Sequence, residues 1–511
     1  MVRSNLFAKK AFRVLFSVLF MRSLIFVGIL WSLVGVVGAQ PVPPNIVFIL
    51  ADDLGYGELG CYGQEKIKTP SLDFLATEGM RFTQHYTGAP VCAPARCVLL
   101  TGKHLAHAEI RNNRDSGNGR RFPAQWPLTA EALTIAEVLK KSGYVTGAFG
   151  KWGLGPSGST GAPNQQGFDW YFGYLCQRNA HSYYPQHLYR NEEQVEINSK
   201  PIKGHIKQPE GEVNADTYRS ETYAPDMILA EALKFIDANR SKPFFLYLPF
   251  VEPHLAIQSP QEWIDKYPEE WDEKPYRGNR SYTPHPRPRA GYAAMISDLD
   301  EHVGAILARL KQHGLEKNTI VIFTSDNGPT HDAGGADTKF FNSAGGLRGY
   351  KGSCYEGGIR VPTIVRWPGH IKAGSKTDKV SYFPDWFPTL VEVAQIDETV
   401  DAQLQLDGVS LVSVLKGGEL PERHEPLVWE FGGYGGIVAI RDGDWKALRR
   451  GLVHKRGPEP WELYNLEEDP TEKNDLAGKH PEIVKRLEKM WLDSRSTEED
   501  FSLPIIDRVK K

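Results

Sequence analysis

The feature that most constrains this fold is the alternation of short, continuous apolar segments with helical patterns. The first apolar segment is Asn-Ile-Val-Phe-Ile-Leu at residues 45–50. A run that is apolar throughout and rich in β-branched residues is typical of a strand buried on both faces. Similar runs lie at residues 144–149, 244–248, 319–323 and 363–365.

Helical patterns separate these runs. They lie at residues 71–78, 130–141, 225–238, 292–313 and 385–394. Strands that alternate with helices predict an α/β fold with a mostly parallel central sheet flanked by helices. Residues 258–288 are rich in Pro, Arg and Trp without a period, and they predict a long surface loop near the functional site.

The C-terminal part of the chain has a different pattern. Short β-like pieces lie at residues 427–430, 436–440, 445–448 and 462–464, followed by an amphipathic helix at 481–493. This pattern predicts a smaller antiparallel sheet with one helix, docked on the main domain. We therefore divide the chain into a signal peptide (1–39), a main α/β domain (40–420) and a C-terminal α+β subdomain (421–511).

The amino terminus has the pattern of a signal peptide. A basic stretch precedes an apolar run at residues 23–37 and the small-residue sequence Val-Gly-Ala at 37–39. The alternative is an uncleaved membrane anchor, but the apolar run is shorter than the ~20 residues that a spanning helix needs. We expect an exported protein, periplasmic or secreted, with no stable membrane insertion after cleavage.

Composition and charge narrow the classes of partner. The chain is 41% hydrophobic and 24% charged, which excludes disorder, collagen and coiled coil. Its formal net charge is −3, and the first 39 residues hold five basic and no acidic side chains, so the remainder is more acidic still. Nucleic-acid binding through bulk charge is therefore not expected. Any anion must be bound by a local cluster.

Two predicted strands end in oxygen-rich side chains. Asp52 and Asp53 follow the first strand, and Asp326 and Asn327 follow the strand at residues 319–323. Ligands of open α/β sheets bind beyond the carboxyl ends of strands. Four hard oxygen donors suit one divalent cation, Ca²⁺ or Mg²⁺, rather than zinc. The alternative is that each pair forms only a turn or a helix N-cap.

A cysteine stands at the predicted start of a short helix in Cys92-Ala-Pro-Ala-Arg96-Cys-Val-Leu-Leu-Thr-Gly. Helix N-termini stabilise anions, so a reactive group at Cys92 would lie in a favourable field. The chain has five cysteines, an odd number that leaves at least one outside any disulfide. A Cys92–Cys97 bridge is the alternative fate for this residue.

The Cys-x-Pro-x-Arg…Leu-Thr-Gly pattern resembles the signature of the type I, formylglycine-dependent sulfatases of the alkaline phosphatase superfamily. Further stretches agree in family order across the mature chain. They are NIVFILADDLGYG (45–57), GAFGKWGLG (147–155), GFDWYFGY (167–174), PFVEPH (249–254), TSDNG (324–328), LRGYKGSCYEGGIRVP (347–362) and WELYNLEEDPTEKNDL (461–476). The resemblance implies an alkaline phosphatase-like fold and hydrolysis of sulfate esters.

The resemblance also implies roles at matching positions. A maturation enzyme would convert Cys92 to formylglycine, whose hydrated aldehyde attacks sulfur. Asp52, Asp53, Asp326 and Asn327 would hold the cation, Ca²⁺ before Mg²⁺, together with an oxygen of the modified Cys92.

The remaining motif positions supply cations and an acid. Lys151 and Lys351 would bind the sulfate oxygens, Arg96 would orient the formylglycine, and His254 would protonate the leaving alkoxide. These roles match the chemistry, since sulfuryl transfer needs cationic groups on the sulfate oxygens, an in-line nucleophile and an acid.

The chain departs from the family pattern at two positions. Ala95 replaces the commonest Ser, a small-for-small change that should still permit modification. Gly153 replaces the usual histidine of Lys-Trp-His, which is thought to help eliminate sulfate from the covalent intermediate. We expect another base to serve, and His181 is the candidate, ahead of His104.

Several loop side chains have the polar and aromatic character that binds sugars: Arg111, Asn112, Asn113, Arg114, Arg121, Gln177, Arg178, Tyr183 and Tyr184. Together with the Gly153 variation, they predict a sulfated glycan substrate, with galactose or N-acetylgalactosamine units. Two alternatives remain open. One is a phosphonate monoester or phosphodiester hydrolase of the same superfamily, and the other is a non-catalytic glycan-binding homologue.

Overall fold

The computed structural model describes residues 43–114, 125–396, 405–503 and 506–507. The predicted signal peptide and Arg121 lie outside this part of the chain. The described residues form sixteen strands: β1 (Asn45–Ala51), β2 (Met80–Phe82), β3 (His85–Tyr86), β4 (Val145–Lys151), β5 (Trp170–Tyr174), β6 (His187–Arg190), β7 (Glu193–Glu196), β8 (Phe244–Pro249), β9 (Thr319–Ser325), β10 (Thr363–Arg366), β11 (Ser375–Thr377), β12 (Ser381–Tyr382), β13 (Leu427–Phe431), β14 (Ile437–Asp442), β15 (Trp445–Arg450) and β16 (Glu462–Asn465).

Ten α-helices lie in the same part of the chain: α1 (Pro70–Glu78), α2 (Cys92–Thr101), α3 (Ile135–Lys141), α4 (Ala224–Asn239), α5 (Gln261–Ile264), α6 (Pro288–Gln312), α7 (Glu356–Ile359), α8 (Trp386–Val393), α9 (Val412–Leu415) and α10 (Pro481–Asp493). None of them combines the length and apolarity that crossing a bilayer requires.

The main sheet has ten strands in the order β11-β2-β10-β9-β1-β8-β4-β5-β6-β7. Its centre, from β9 to β5, is entirely parallel, and β10, β6 and β7 add antiparallel pairs toward the edges. Every residue of β1, β8 and β9 is buried. The predicted α/β fold with a mostly parallel, helix-covered sheet is confirmed.

The smaller sheet is antiparallel in the order β13-β14-β15-β16, also as predicted. One face contributes Trp429, Phe431 and Leu448 to the core of the main sheet. The other face packs against Leu487 and Trp491 of α10. The small sheet therefore lies between α10 and the main body.

Three local expectations need correction. The helix predicted from residue 130 begins at Ile135, because Thr134 and Glu137 form a reciprocal capping box. The predicted loop at 258–288 contains α5 and a 3₁₀ turn, Glu269–Trp271. No disulfide joins Cys92 to Cys97, and both are buried thiols.

Candidate active site

Two strand ends bring the four predicted cation ligands together. β1 and β9 pair in parallel and end in register, so Asp52, Asp53, Asp326 and Asn327 lie at one edge of the sheet, each at most 1% exposed. The backbone N–H of Asp53 donates to Asp326 Oδ1 at 3.2 Å, and Asn327 Nδ2 donates to Asp53 Oδ1 at 2.8 Å. Asp53 has a φ of 67°, an uncommon value for a non-glycine residue.

Cys92 is the first residue of α2, a helix whose ten residues are all buried. The N–H of Ala93, one of the groups that a helix start leaves unpaired, donates to Asn113 Oδ1 at 3.0 Å. Gly102 ends the helix in the left-handed conformation with φ of 66°, and its N–H donates to Val98 O. The helix therefore holds Cys92 rigidly, with Sγ 3.4 Å from Asp52 Oδ1.

Three cationic side chains surround this group. Lys151 ends β4 and contacts Asp52 Oδ2, while its Nζ lies 3.6 Å from Cys92 Sγ. Lys351 Nζ lies 3.5 Å from the same sulfur and 2.7 Å from Asp53 Oδ1. The cysteine is thus flanked by two ammonium groups.

Arg96, one turn along α2 from Cys92, joins two of the acids. Its Nη2 lies 2.8 Å from Asp326 Oδ2 and 3.3 Å from Asp52 Oδ2, and its Nη1 donates to the carbonyl of Lys151. The guanidinium is fully buried. It fixes the ends of β1, β4 and β9 relative to α2.

Burial and the surrounding charges shift the pKa values of these groups. Burial raises the pKa of Asp326 to about 6, and the neighbouring Asp52 adds to the rise. Burial acts the same way on Asp52, but Lys151, His254 and Arg96 lower the pKa of that carboxyl below its usual range. Burial, with Asp52, raises the pKa of the Cys92 thiol to about 12. The unmodified cysteine is therefore a protonated thiol at neutral pH.

The acids have the chemistry of a hard-cation site. Asn327 Oδ1 is buried and has no hydrogen-bond partner among the described residues, although its Nδ2 has two. Ligand atoms of Asp52, Asp53, Cys92 and His254 lie within 4.8 Å of one another. A divalent cation would give the unpaired amide oxygen a partner and suits the oxygen donors. The residues present therefore fit Ca²⁺ or Mg²⁺.

Two histidines lie beside this group. His254 Nδ1 is 2.6 Å from the carbonyl oxygen of Leu255, which accepts its hydrogen and leaves Nε2, 3.7 Å from Asp53 Oδ2, toward the acids. His181 stacks on His254 with ring centroids 4.9 Å apart, and its Nδ1 lies 2.9 Å from Nε2 of His205. The sequence-predicted acid and base candidates therefore form a stacked pair.

A cavity of about 260 Å³ opens over Cys92. Its lining is mostly polar and cationic: Cys92, Asn113, Arg114, Gln125, Cys176, Gln177, Arg178, His181, His254, Tyr282, Thr330, His331, Lys351 and Tyr434. A second cavity, of about 670 Å³, adjoins the first and shares Gln125, Cys176 and Arg178 with it. The two together form a groove that ends at the cysteine.

The predicted sugar-binding residues divide into two groups. Asn113, Arg114, Gln177 and Arg178 line the cavity over Cys92. The others of the set that the structure describes do not line it: Arg111, Asn112, Tyr183 and Tyr184.

Two of these side chains are buried and pack against other parts of the protein. Arg111 is buried against Glu430 of the small sheet, at 3.1 Å. The hydroxyl of Tyr183 is buried and donates to the carbonyl of His254 at 2.7 Å, so this residue supports the site from behind. Their assignment to substrate contact was wrong.

His104, the second candidate base, is also remote from the cavity. It is buried beyond the end of α2, where it stacks on His107 and where its backbone N–H donates to Asp407. Burial lowers its pKa to about 4. It therefore supports the loop after α2 and not the reaction.

Sequence reasoning missed six lining residues: Gln125, Cys176, Tyr282, Thr330, His331 and Tyr434. Thr330 and His331 follow the Asp-Asn-Gly motif by a few positions, which was an available signal. Tyr434 lies in the turn between β13 and β14 and packs near Gly352, next to Lys351. Its sequence context gave no hint of the catalytic cavity.

Comparison with known proteins places these features in a family. The sulfatase family model matches residues 44–396, and the model described as N-sulphoglucosamine sulphohydrolase, C-terminal, matches residues 350–497. The chain is 31% identical to an N-acetylgalactosamine-6-O-sulfatase of Bacteroides thetaiotaomicron, over 89% of this chain and 93% of that protein.

Two further comparisons agree. The chain is 31% identical to arylsulfatase A of Homo sapiens, over 88% of this chain and 87% of that protein. Among solved structures, it is similar to Ps i-CgsB in complex with k-i-k-neocarrahexaose, with a TM-score of 0.72 and 28% identity over 90% of this chain and 94% of that chain.

Proposed function

The chain belongs to the sulfatase family and is a sulfuric ester hydrolase, and we propose that its substrates are sulfated glycans. The observation that carries this proposal is the groove formed by the two adjoining cavities. The inner cavity can take a sulfate group and one sugar, and the outer one leaves room for further units. Relatives named for N-acetylgalactosamine sulfate and a neocarrahexaose complex agree with this class.

The two lysines are the sulfate-binding groups of the proposed reaction. Lys151 and Lys351 stand on either side of Cys92, so oxygens of a sulfate held over that residue would meet an ammonium group on each side. Positive groups placed where negative charge grows stabilise the transition state. Each lysine at present neutralises one aspartate, Asp52 or Asp53.

We propose that Asp52, Asp53, Asp326 and Asn327 hold one divalent cation, Ca²⁺ before Mg²⁺. That cation would supply Lewis-acid polarisation of the nucleophile. Three buried carboxylates currently depend on three cationic side chains for neutralisation. A bound divalent cation would neutralise these carboxylates, and the charges of the lysines would then be available for an anionic substrate.

We propose that Cys92 acts after conversion to formylglycine by a maturation enzyme. A thiol with a pKa of about 12 is a poor nucleophile at neutral pH, which argues against the unmodified side chain. The hydrated aldehyde would supply the attacking hydroxyl. Arg96, one helical turn away and held by two carboxylates, keeps the start of α2 in place during the reaction.

The two histidines divide the proton transfers in this proposal. His254 keeps Nδ1 on the Leu255 carbonyl, so Nε2 faces the site, and a proton that Nε2 takes up to form the imidazolium would be the one given to the leaving alkoxide. His181 is the proposed base for the later release of sulfate. It is the histidine that lines the cavity next to His254, and the absence of a side chain at Gly153 leaves that task to another residue.

Mass spectrometry of the peptide that contains Cys92 tests the nucleophile. Formylglycine lowers the mass relative to cysteine, because the thiol is replaced by an aldehyde. An unmodified thiol in protein that hydrolyses no sulfate ester would favour the glycan-binding alternative. Protein from a host that lacks a maturation enzyme is the matched control.

Turnover of three substrate classes tests the specificity. We expect sulfated galactose and N-acetylgalactosamine oligosaccharides to give higher kcat/KM than an aryl sulfate, because they fill both cavities. An aryl phosphonate tests the hydrolase alternative, since two lysines bind any tetrahedral oxyanion. Faster hydrolysis of the phosphonate than of every sulfate ester would overturn the proposal.

Export completes the proposal. We propose that residues 1–39 direct the chain to the periplasm or the medium and are then removed. Sequencing of the mature amino terminus tests this, and a start near Gln40 is the expected result. Recovery of full-length protein from the membrane would support the anchor alternative instead.

A further inference from the structure

The backbone at Gly153 lies against the side chain of Gln177. Beyond the end of β4, the N–H of Gly153 donates to the carbonyl of Leu175 at 3.2 Å, so the two segments remain paired. Gly153 has a φ of +85°, and a Cβ placed there would lie 2.7 Å from Gln177 Nε2 and 2.9 Å from its Cγ. The amide of Gln177 therefore fills the space that a side chain at residue 153 would take.

This amide is buried and partly unpaired. Gln177 is 7% exposed, and its Nε2 has no hydrogen-bond partner among the described residues. The backbone N–H of the same residue donates to Gln125 Oε1 at 3.4 Å, which fixes the start of the side chain. Leaving a buried donor unpaired is costly, and because this Nε2 has almost no accessible surface, the terminal amide must turn to bring its N–H to a ligand in the cavity.

The cavity limits what that partner can be. Gln177 lines the same 260 Å³ space as Cys92, Lys351 and His254. Lys351 favours an anionic ligand here, and the sulfate group of an ester presents only acceptor oxygens to its surroundings. An amide N–H is a suitable donor to such an oxygen.

We propose that Gln177 is a catalytic residue that donates from Nε2 to an oxygen of the bound sulfate ester. A neutral amide neither takes nor gives a proton in this reaction, so its contribution is a fixed dipole aimed at charge that grows on the sulfate oxygens. The assignment differs from that of His181, which is a proton acceptor. It rests on the proposed function in one respect, that sulfate is bound over Cys92.

The substitution Gln177→Met tests the proposal, because methionine has a similar length but no N–H. Removal of one preorganised donor to a developing oxyanion lowers kcat by roughly 100-fold or more. We expect a loss of that size on an aryl sulfate, with a smaller change in KM. Competitive inhibition by inorganic sulfate should also weaken, by about tenfold. A role in packing alone would leave sulfate affinity unchanged.

Gln165→Met is the matched control, since the side chain of this exposed glutamine contacts only Glu192 in the described hydrogen bonds. It should keep the wild-type kcat and sulfate affinity. Melting temperatures of both variants exclude misfolding as the cause of a loss. Wild-type kcat together with wild-type sulfate affinity in Gln177→Met would overturn the proposal.

A double-mutant cycle with Gly153→Ala adds a second test. Alanine at residue 153 strains a backbone held at a φ of +85°, and its Cβ would also push the Gln177 amide away, so the single variant should lose kcat although residue 153 does not touch substrate. In the Gln177→Ala background only the backbone strain remains, so the same change should cost less, and simple additivity would contradict the proposal. If wild-type protein hydrolyses no sulfate ester, the proposed function fails. Calorimetric sulfate binding to wild type and Gln177→Met then still decides the role of Gln177.

Discussion

Lys446 should be among the most important charges for stability outside the catalytic site. It lies on β15 of the small sheet, is fully buried, and places Nζ 2.9 Å from both Glu356 Oε1 and Glu472 Oε1. The two acids are also linked, because Glu472 Oε2 accepts the backbone N–H of Glu356 at 2.7 Å. Removing the lysine leaves two buried carboxylates without this counter-charge.

We expect Lys446→Met to lower the free energy of unfolding by about 3–5 kcal/mol, the usual cost of breaking a buried ion pair from one side. The entropy of unfolding is roughly 1 kcal/mol/K for a folded chain of about 470 residues. The melting temperature should therefore fall by about 3–5 °C. Differential scanning calorimetry at pH 8 measures this shift.

The same substitution on the surface is the control. Lys489 on α10 pairs with Asp493, but its side chain is 74% exposed. Exposed ion pairs contribute little, so Lys489→Met should leave the melting temperature within about 1 °C of wild type.

The pH dependence identifies the cause. Burial raises the pKa of Glu472 from 4.5 to about 7, although Lys446 lowers it. When folding raises the pKa of a carboxyl, the free energy of unfolding decreases as the pH rises, here between 4.5 and about 7. Without Lys446 this loss grows, so the deficit of the variant should be larger at pH 8 than at pH 5. A deficit below 1 °C, or one that is equal at both pH values, would refute this reasoning.

The remaining predictions concern catalysis. Cys92→Ala should abolish turnover while the protein stays folded, and residual sulfate release comparable to wild type would contradict the nucleophile assignment. Asp326→Ala should lose both the divalent cation and activity. The control Asp332→Ala, at an exposed position, should keep both. Active protein in which elemental analysis finds no stoichiometric divalent cation would disprove the metal site. His181→Ala should slow the release of sulfate from the enzyme, so stopped flow should show a rapid initial release of alcohol followed by a slow phase. His254→Ala should instead slow the release of the alcohol itself, most for poor leaving groups such as sugars. Wild-type turnover of glycan sulfate by His181→Ala, without that initial phase, would return His181 to a structural role.

The central strands β1, β4, β8 and β9 were predictable because the preference of an apolar run for burial is local to the sequence. A run such as residues 45–50, apolar at every position, fits only a buried environment, and the observed strand Asn45–Ala51 is buried throughout. The edge strands β6 and β7 were not predicted, since sequences such as Glu193–Glu196 are polar and largely exposed. Their pairing depends on the neighbouring strand and not on their own composition.

The acids and the cysteine were predictable for a related reason. Parallel strands that end in register bring Asp52 and Asp326 together. Cys92 was placed correctly because the sequence pattern marks it as the start of a helix. The direction of loop side chains has no such local signature. Arg111 and Tyr183 have the composition of sugar contacts but point into the protein, toward Glu430 and the backbone of His254.

Tyr434 belongs to the turn between β13 and β14, and its place in the cavity wall has a consequence for biosynthesis. About 340 residues separate it from Cys92. At roughly 5–20 residues per second, a ribosome needs about 20–70 s to reach it. Throughout that interval the wall over the cysteine is incomplete, and α2 cannot yet be sealed from its surroundings. For the proposed maturation enzyme, the order of synthesis would therefore provide a period of access to Cys92, which is only 1% exposed in the finished fold.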